Sequence, residues 1–82
     1  MSRYCLLCLS GLVAKHTLVS DPSPFNTWRP EHAHQFVTYE SAERALNSVR
    51  HIHPEISIVQ ITFTRTKSQW IPTDATYASR GI

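Results

Sequence analysis

The sequence predicts an α+β fold in which one helix packs on a mostly antiparallel sheet of about four strands. Three observations predict it: an apolar run near the N-terminus, one segment with apolar residues at helical spacing, and a later segment that alternates apolar and polar residues. The predicted order is strand, strand, short strand, helix, strand, strand, which is typical of a helix covering one face of a sheet. We expect a single domain over residues 1–72 and a loose polar tail over residues 73–82.

The length and net charge of the chain limit the classes of function that it can have. The chain has 82 residues, enough for one small core, and a formal net charge of +2. Six of its eight basic residues are arginines, the side chain best suited to bidentate contacts with carboxylates and phosphates. The charges are scattered, whereas a nucleic-acid-binding domain usually carries a clustered basic stripe. The composition therefore mildly favours a macromolecular partner.

Residues 3–16, RYCLLCLSGLVAKH, admit three interpretations. The first is an export signal, with Arg3 as its charged region and a mostly apolar run after it. The cleavage site is poor, because Leu12 stands where a small residue is wanted, and the run is too short to cross a bilayer. We therefore predict a cytoplasmic protein with no membrane partner.

The second interpretation is half of a metal site, from the CxxC spacing of Cys5 and Cys8. The two leucines between them favour a straight strand, which points the two thiols to opposite faces of a sheet. Two histidine pairs could complete such a site, but both lack the usual spacing of zinc ligands: His32 with His34, and His51 with His53. We expect no metal, no cofactor, and two cysteines that act as small buried apolar residues.

The third interpretation, a strand buried on both faces, is the one we adopt for residues 4–9. A second, irregular strand is predicted over residues 12–13 and 17–19, with Gly11 marking a turn or bulge before it. Free thiols at these positions predict a reducing compartment.

The helix is predicted over residues 39–52, after a short strand at residues 35–38. Its apolar stripe has helical spacing: Ala42, Ala45, Leu46, Val49 and Ile52. Thr38 or Ser41 can cap the start of the helix, and Pro54 prevents its continuation.

Residues 56–66, ISIVQITFTRT, predict a strand, because β-branched residues alternate with polar ones. Val59, Ile61 and Phe63 share one face. Ile56 and Ile58 are out of phase with them, so we expect a bulge or burial on both faces near Val59. A polar turn at residues 65–68 leads to a last strand at residues 69–71, which Pro72 is predicted to end.

Residues 21–31, DPSPFNTWRPE, contain three prolines and are predicted to be irregular. Phe25 and Trp28 are large aromatic residues in this loop. Either they pack onto the core as a lid, or they form a partner-binding loop with Arg29, since exposed aromatics beside an arginine are typical of binding hot spots.

The chain offers little for catalysis. It has only two glycines, too few for a phosphate-cradling loop, and a cysteine inside an apolar strand has its reactive thiolate disfavoured. Small ribonuclease toxins work with a few basic residues and histidines on a sheet. Four residues of this chain could act in that way: Arg65, Lys67, His51 and His53. Toxins of this class are usually far more basic than this chain. We therefore predict that the protein is not an enzyme.

The main functional prediction is a non-catalytic interaction module that binds a protein complex. The expected contacts come from the aromatic loop and the last hairpin: Phe25, Trp28, Arg29, Arg65 and Lys67. In size and layout the chain is similar to small phage and mobile-element proteins, including anti-CRISPR inhibitors, which block large host complexes by binding them. That resemblance covers the architecture and no motif, and it implies an inhibitor whose partner is a host protein complex.

The alternative prediction is a nucleic-acid-binding protein. Its contacts would come from the helix and the last hairpin and would have to converge on one surface: Arg44, Arg50, Arg65 and Lys67. A homodimer is a further expectation, because a short sheet with an apolar strand near its edge can pair with its own copy.

Overall fold

The apolar N-terminal run forms the central strand of the sheet in a computed structural model that describes residues 1–9, 11–13 and 26–81. Among these residues, five strands form one antiparallel sheet: β1 (Ser2–Cys8), β2 (Gly11–Val13), β3 (Asn26–Thr27), β4 (Ser57–Arg65) and β5 (Trp70–Ser79). Their order across the sheet is β3-β2-β1-β4-β5. The helix α1 (Tyr39–Asn47) packs on β1 and β4, and a short 3₁₀ helix spans Pro30–His32. The predicted α+β fold is confirmed.

The sheet has apolar residues buried on both faces. On the face that α1 covers, called the helix face, the buried cluster comprises Leu6, Cys8, Val13, Ala42, Leu46, Val49, Ile56 and Ile58. On the opposite face, called the rear face, it comprises Cys5, Leu12, Ala33, Val59, Ile61 and Phe63. Alternation along β1 produces this division, because neighbouring side chains of a strand point to opposite faces. The predicted burial of this strand on both faces is confirmed.

The helix begins where predicted and ends earlier. The Thr38 hydroxyl oxygen accepts a hydrogen bond from the Ser41 N–H at 3.2 Å, the expected capping contact. The predicted end at residue 52 is wrong, because α1 stops at Asn47. After that residue the N–H groups of Val49 and Ile52 bond to carbonyls three residues back, which tightens the chain into successive turns. Val49 stays buried, but Ile52 is 45% exposed.

The irregularity expected near Val59 is present. In the pairing of β4 with β5, Ile58 lies opposite Ser79 and Val59 lies opposite Tyr77, so the register shifts by one residue between them. Ile58 is buried on the helix face and Val59 on the rear face.

The last strand is longer than predicted. It was expected to end before Pro72, with a loose tail over residues 73–82, but β5 continues to Ser79 and pairs with β4 along its length. Pro72 is tolerated because β5 is an edge strand, where a missing N–H need not break a ladder. A second register shift, between Thr62 and Phe63, lies directly opposite this part of β5.

Two further predictions need correction. Residues 35–38 do not form a strand, although Phe36 bridges to Tyr4 with hydrogen bonds of 2.7 and 2.8 Å in the two directions. Within the loop predicted to be irregular, residues 26–27 form β3 and pair with β2. Gly11, with φ of +130°, follows the connection between β1 and β2 as expected. The strand predicted at residues 17–19 lies outside the described residues.

Candidate functional site

The candidate site is an aromatic and basic surface on the rear face of the sheet. Along β4, Arg65 continues the two-residue series of Val59, Ile61 and Phe63, so it lies on that face. Residues paired across an antiparallel ladder share a face. Tyr77 opposite Val59 and Trp70 opposite Arg65 are therefore rear-face residues as well.

One cleft on this surface lies between Trp28 and Tyr77. Its volume is about 280 Å³, and its lining is Leu7, Cys8, Leu9, Trp28, Glu55, Ser57 and Tyr77. Trp28 directly follows β3, whereas Tyr77 belongs to β5, so the cleft joins the two edges of the sheet. Trp28 is 68% exposed, Tyr77 50% and Leu9 86%. These exposed apolar side chains form a patch that a macromolecular partner could bury.

A second cleft, of about 340 Å³, lies between the 3₁₀ helix and the start of β5. One wall is Arg29, Glu31 and His32, and the other is Gln69, Trp70, Ile71 and Pro72. Trp70 and Ile71 are both partly exposed. This cleft is more polar than the first, and its indole wall offers a flat apolar surface to a ligand.

Arginine side chains lie over both aromatic rings of β5. The guanidinium carbon of Arg80 is 4.0 Å from the centre of the Tyr77 ring, and that of Arg65 is 5.7 Å from the centre of the Trp70 ring. Such cation–π contacts hold the charged group and the ring together. The contacts place positive charge beside Tyr77 in the first cleft and beside Trp70 in the second.

The acidic groups near these clefts have basic partners. Glu31 accepts from the Arg29 guanidinium at 3.0 Å, in an exposed ion pair. The backbone N–H of Glu31 itself, followed by Arg29, lowers the pKa of that carboxyl below its ordinary value. Glu55, in the first cleft, lies 3.5 Å from His53. Arg65 and Arg80 add positive charge beside the rear-face rings of Trp70 and Tyr77, which favours a partner with acidic or anionic groups.

The structure separates the residues predicted to bind a protein partner into two groups. Trp28 borders the first cleft, and Arg29 borders the second. Arg65 belongs to the second group through its contact with Trp70, and Lys67 lies in the same hairpin turn. With 68% of its surface exposed, Trp28 is not a lid on the core. Phe25 lies outside the described residues.

The residues predicted to bind nucleic acid are divided between the two ends of β4. Arg50 lies beside Ile56, directly before β4 begins, with Arg44 on the preceding helix. Arg65 ends the strand and Lys67 follows it. Eight residue steps of about 3.3 Å separate the ends of β4, so Arg65 lies about 26 Å along the strand from the end that Arg50 flanks.

The thiols lie on opposite faces of the sheet, as the strand interpretation predicted. Cys5 belongs to the rear-face cluster and Cys8 to the helix-face cluster. Burial raises the pKa of the Cys5 thiol from 9.0 to about 11. Burial, followed by the charge of Glu55, also raises the pKa of Cys8. Both shifts disfavour the nucleophilic thiolate at neutral pH.

The other candidates for chemistry lie apart from one another. His51 and His53 follow α1, whereas Arg65 and Lys67 lie at the far end of β4, so the predicted ribonuclease set does not come together. Within residues 1–9, 11–13 and 26–81, no group of three or more His, Cys, Asp and Glu residues is placed to hold a metal ion.

Sequence reasoning missed three residues of this surface: Trp70, Tyr77 and Arg80. The sequence predicts Tyr77 and Arg80 in a loose tail and Trp70 in a short last strand. A signal was present in the alternation of Ala75, Thr76 and Tyr77, but Pro72 was given more weight.

Comparison of the chain with known proteins found no matching family model, no matching curated protein and no matching solved structure. In the part of the chain that the structure describes, no helix has the length and apolar character needed to cross a membrane.

Proposed function

We propose that this protein is a non-catalytic interaction module that binds a protein partner through the rear-face surface. The observation that carries the proposal is the first cleft, where Trp28, Tyr77 and Leu9 are exposed around one concave surface. Trp, Tyr and Arg are the side chains most enriched in binding hot spots, and Arg80 beside Tyr77 completes that set.

The non-catalytic part of the proposal rests on the thiols and the basic residues. The raised pKa values of Cys5 and Cys8 disfavour nucleophilic catalysis at neutral pH, and the ribonuclease-type candidates are separated along β4. We also propose a cytoplasmic location, since free thiols such as these persist in a reducing compartment.

The more specific form of the proposal is an inhibitor of a host protein complex, of the kind found in small phage and mobile-element proteins such as anti-CRISPR inhibitors. Its support is the small α+β architecture together with the exposed aromatic and basic surface. Because Arg29 borders the second cleft and Arg65 and Arg80 lie over the rings of Trp70 and Tyr77, the partner surface is expected to be acidic with apolar side chains between its charges.

A comparative capture experiment tests this proposal. Tagged wild-type protein and the variants Trp28→Ala, Tyr77→Ala and Val37→Ala are exposed to an extract of the source organism, and bound proteins are identified by mass spectrometry. Val37 is the matched control, since it is exposed and apolar but lies beside the start of α1. A defined complex captured by wild type and Val37→Ala, but lost from both aromatic variants, supports the proposal. Equal capture by all four proteins contradicts it.

A second candidate function is binding of single-stranded nucleic acid. The observation that favours it is the pairing of arginine with an exposed aromatic ring twice on β5, because bases stack on such rings while arginines contact phosphates. The relevant residues are then Arg65, Trp70, Tyr77 and Arg80. Arg50 lines a cleft with Arg80 and lies near this set.

Fluorescence anisotropy with labelled single-stranded and duplex oligonucleotides at two salt concentrations tests this candidate. Phosphate contacts make affinity fall steeply with salt, and base stacking makes single strands bind more tightly than duplex. Binding that shows both effects and weakens in Tyr77→Ala supports nucleic-acid recognition. No binding at low salt contradicts it and leaves the protein partner as the proposal.

A further inference from the structure

Within the described residues β5 is an outer strand of the sheet, and the pairing of β4 shows which of its backbone groups face away from the sheet. The N–H of Phe63 donates to the carbonyl of Met1 at 2.7 Å, and the amino group of Met1 donates to the carbonyl of Phe63 at 3.1 Å. Successive residues of a strand direct their backbone groups to opposite sides. Odd-numbered residues of β4 therefore bond towards β1, and the even-numbered Gln60 and Thr62 bond towards β5.

This alternation decides which residues of β5 are unpaired. Thr76 and Asp74 lie opposite Gln60 and Thr62, so their backbone groups bond to β4. Ala75 and Tyr77, between and beyond them, direct their N–H and C=O groups away from the sheet. Pro72, opposite Phe63, faces outward too and has no N–H to offer.

Asp74 covers one of these outward donors. Its carboxylate oxygen Oδ1 accepts a hydrogen bond from the Ala75 N–H at 2.9 Å. A charged side chain and a proline on an edge strand are two devices that prevent edge-to-edge pairing. β5 carries both. Among the residues from Pro72 to Tyr77 that lie opposite a β4 residue, Tyr77 is the one whose outward N–H has no hydrogen bond to another described residue.

We propose that β5 is a pairing edge for a second copy of this chain, which Asp74 keeps closed. Two antiparallel copies of β5 can pair about a two-fold axis at Thr76. Ala75 of each copy then lies opposite Tyr77 of the other copy. Each of these pairs exchanges two main-chain hydrogen bonds, so all the outward groups of Ala75 and Tyr77 are satisfied. Forming that ladder requires Asp74 to release the Ala75 N–H and its carboxylate to lose water.

Sedimentation-velocity ultracentrifugation over a concentration series tests the proposal with the full chain. Asp74→Ala removes both the hydrogen bond and the charge, so dimer association should tighten at least about tenfold relative to wild type. Asp74→Asn keeps an acceptor oxygen without the charge, so its dimer association should be intermediate between those of wild type and Asp74→Ala. Glu43→Ala is the matched control, because it removes an exposed carboxylate from α1 and leaves the edge untouched.

A double variant identifies the edge. Asp74→Ala combined with Tyr77→Pro removes the remaining outward N–H at a position where proline is tolerated, and it should return the protein to a monomer. Circular dichroism confirms folding of each variant, and Asp74→Ser replaces Asp74→Ala if that variant fails to fold. The proposal is wrong if wild type dimerises as tightly as Asp74→Ala, if Asp74→Ala stays monomeric, or if the double variant still dimerises. The double variant also removes the Tyr77 ring from the first cleft, whereas Asp74→Ala leaves the lining of both clefts unchanged. The comparison of Asp74→Ala with wild type therefore tests the pairing edge separately from the partner-binding proposal.

Discussion

The backbone N–H of Gly81 donates to the hydroxyl oxygen of Ser57 at 2.7 Å, which attaches the segment after β5 to the start of β4. Ser57 is buried, and a methyl group on Gly81 would overlap the carbonyl oxygens of Glu55 and Ile56, so the two segments approach very closely. This contact holds the end of β5 beside the first cleft, where Tyr77 and Ser57 are both lining residues.

Ser57→Ala should lower the free energy of unfolding by about 1–2 kcal/mol, because it leaves the Gly81 donor without its acceptor. Urea denaturation measures the change. Ser68→Ala, in the exposed turn between β4 and β5, is the control and should leave stability unchanged. Equal effects of the two substitutions would show that the hydroxyl of Ser57 contributes nothing specific.

Gly11→Ala should cost about 1–3 kcal/mol, because φ of +130° is a conformation that side chains other than glycine rarely adopt. The added methyl group would also lie 2.9 Å from the carbonyl oxygen of Thr27 in β3. Hydrogen exchange should therefore accelerate first in β2 and β3. Leu9→Ala, in the same connection but exposed, should have little effect, and a loss as large as that of Gly11→Ala would contradict the backbone explanation.

Stability should fall at alkaline pH through Cys5. Its pKa is raised from 9.0 to about 11 by burial, so the folded state holds a proton that the unfolded chain loses first. The contribution of the protonated Cys5 thiol to the free energy of unfolding is complete below pH 9 and is lost as the pH rises through 11. At pH 11 the free energy of unfolding is lower by about 2 kcal/mol. Urea denaturation from pH 7 to 11 measures the slope. Cys5→Ala should show a shallower decline over this range, and an identical slope would rule out Cys5 as its source.

The exposed and buried aromatic residues of the rear face should differ sharply in their effect on stability. Trp28→Ala should change the free energy of unfolding by less than about 1 kcal/mol, since the indole is exposed. Phe63→Ala should cost about 3–5 kcal/mol, because Phe63 is buried in the rear-face cluster. A comparable loss in both variants, measured by urea denaturation, would place Trp28 in the core and remove it from the candidate surface.

Local periodicity in the sequence was sufficient to predict the helix, the central strand and the strand β4. Ala42, Leu46 and Val49 repeat at helical spacing, and the neighbouring apolar residues Ile58 and Val59 indicated that β4 is buried on both faces. The opposite orientation of Cys5 and Cys8 followed from the same argument, because side-chain direction alternates along any strand. These features depend on neighbours in the chain, so the sequence alone determines them.

The extent of β5 and the surface around it were decided by the tertiary structure. Pro72 ends a central strand but not an edge strand, and the sequence does not state which strand is the edge. Tyr77 and Arg80 therefore became site residues only once residues 73–79 paired with β4. Arg44 and Arg50 were separated from Arg65 for the same reason: distance across a fold depends on strand order and helix placement, which arise from packing between segments far apart in the chain.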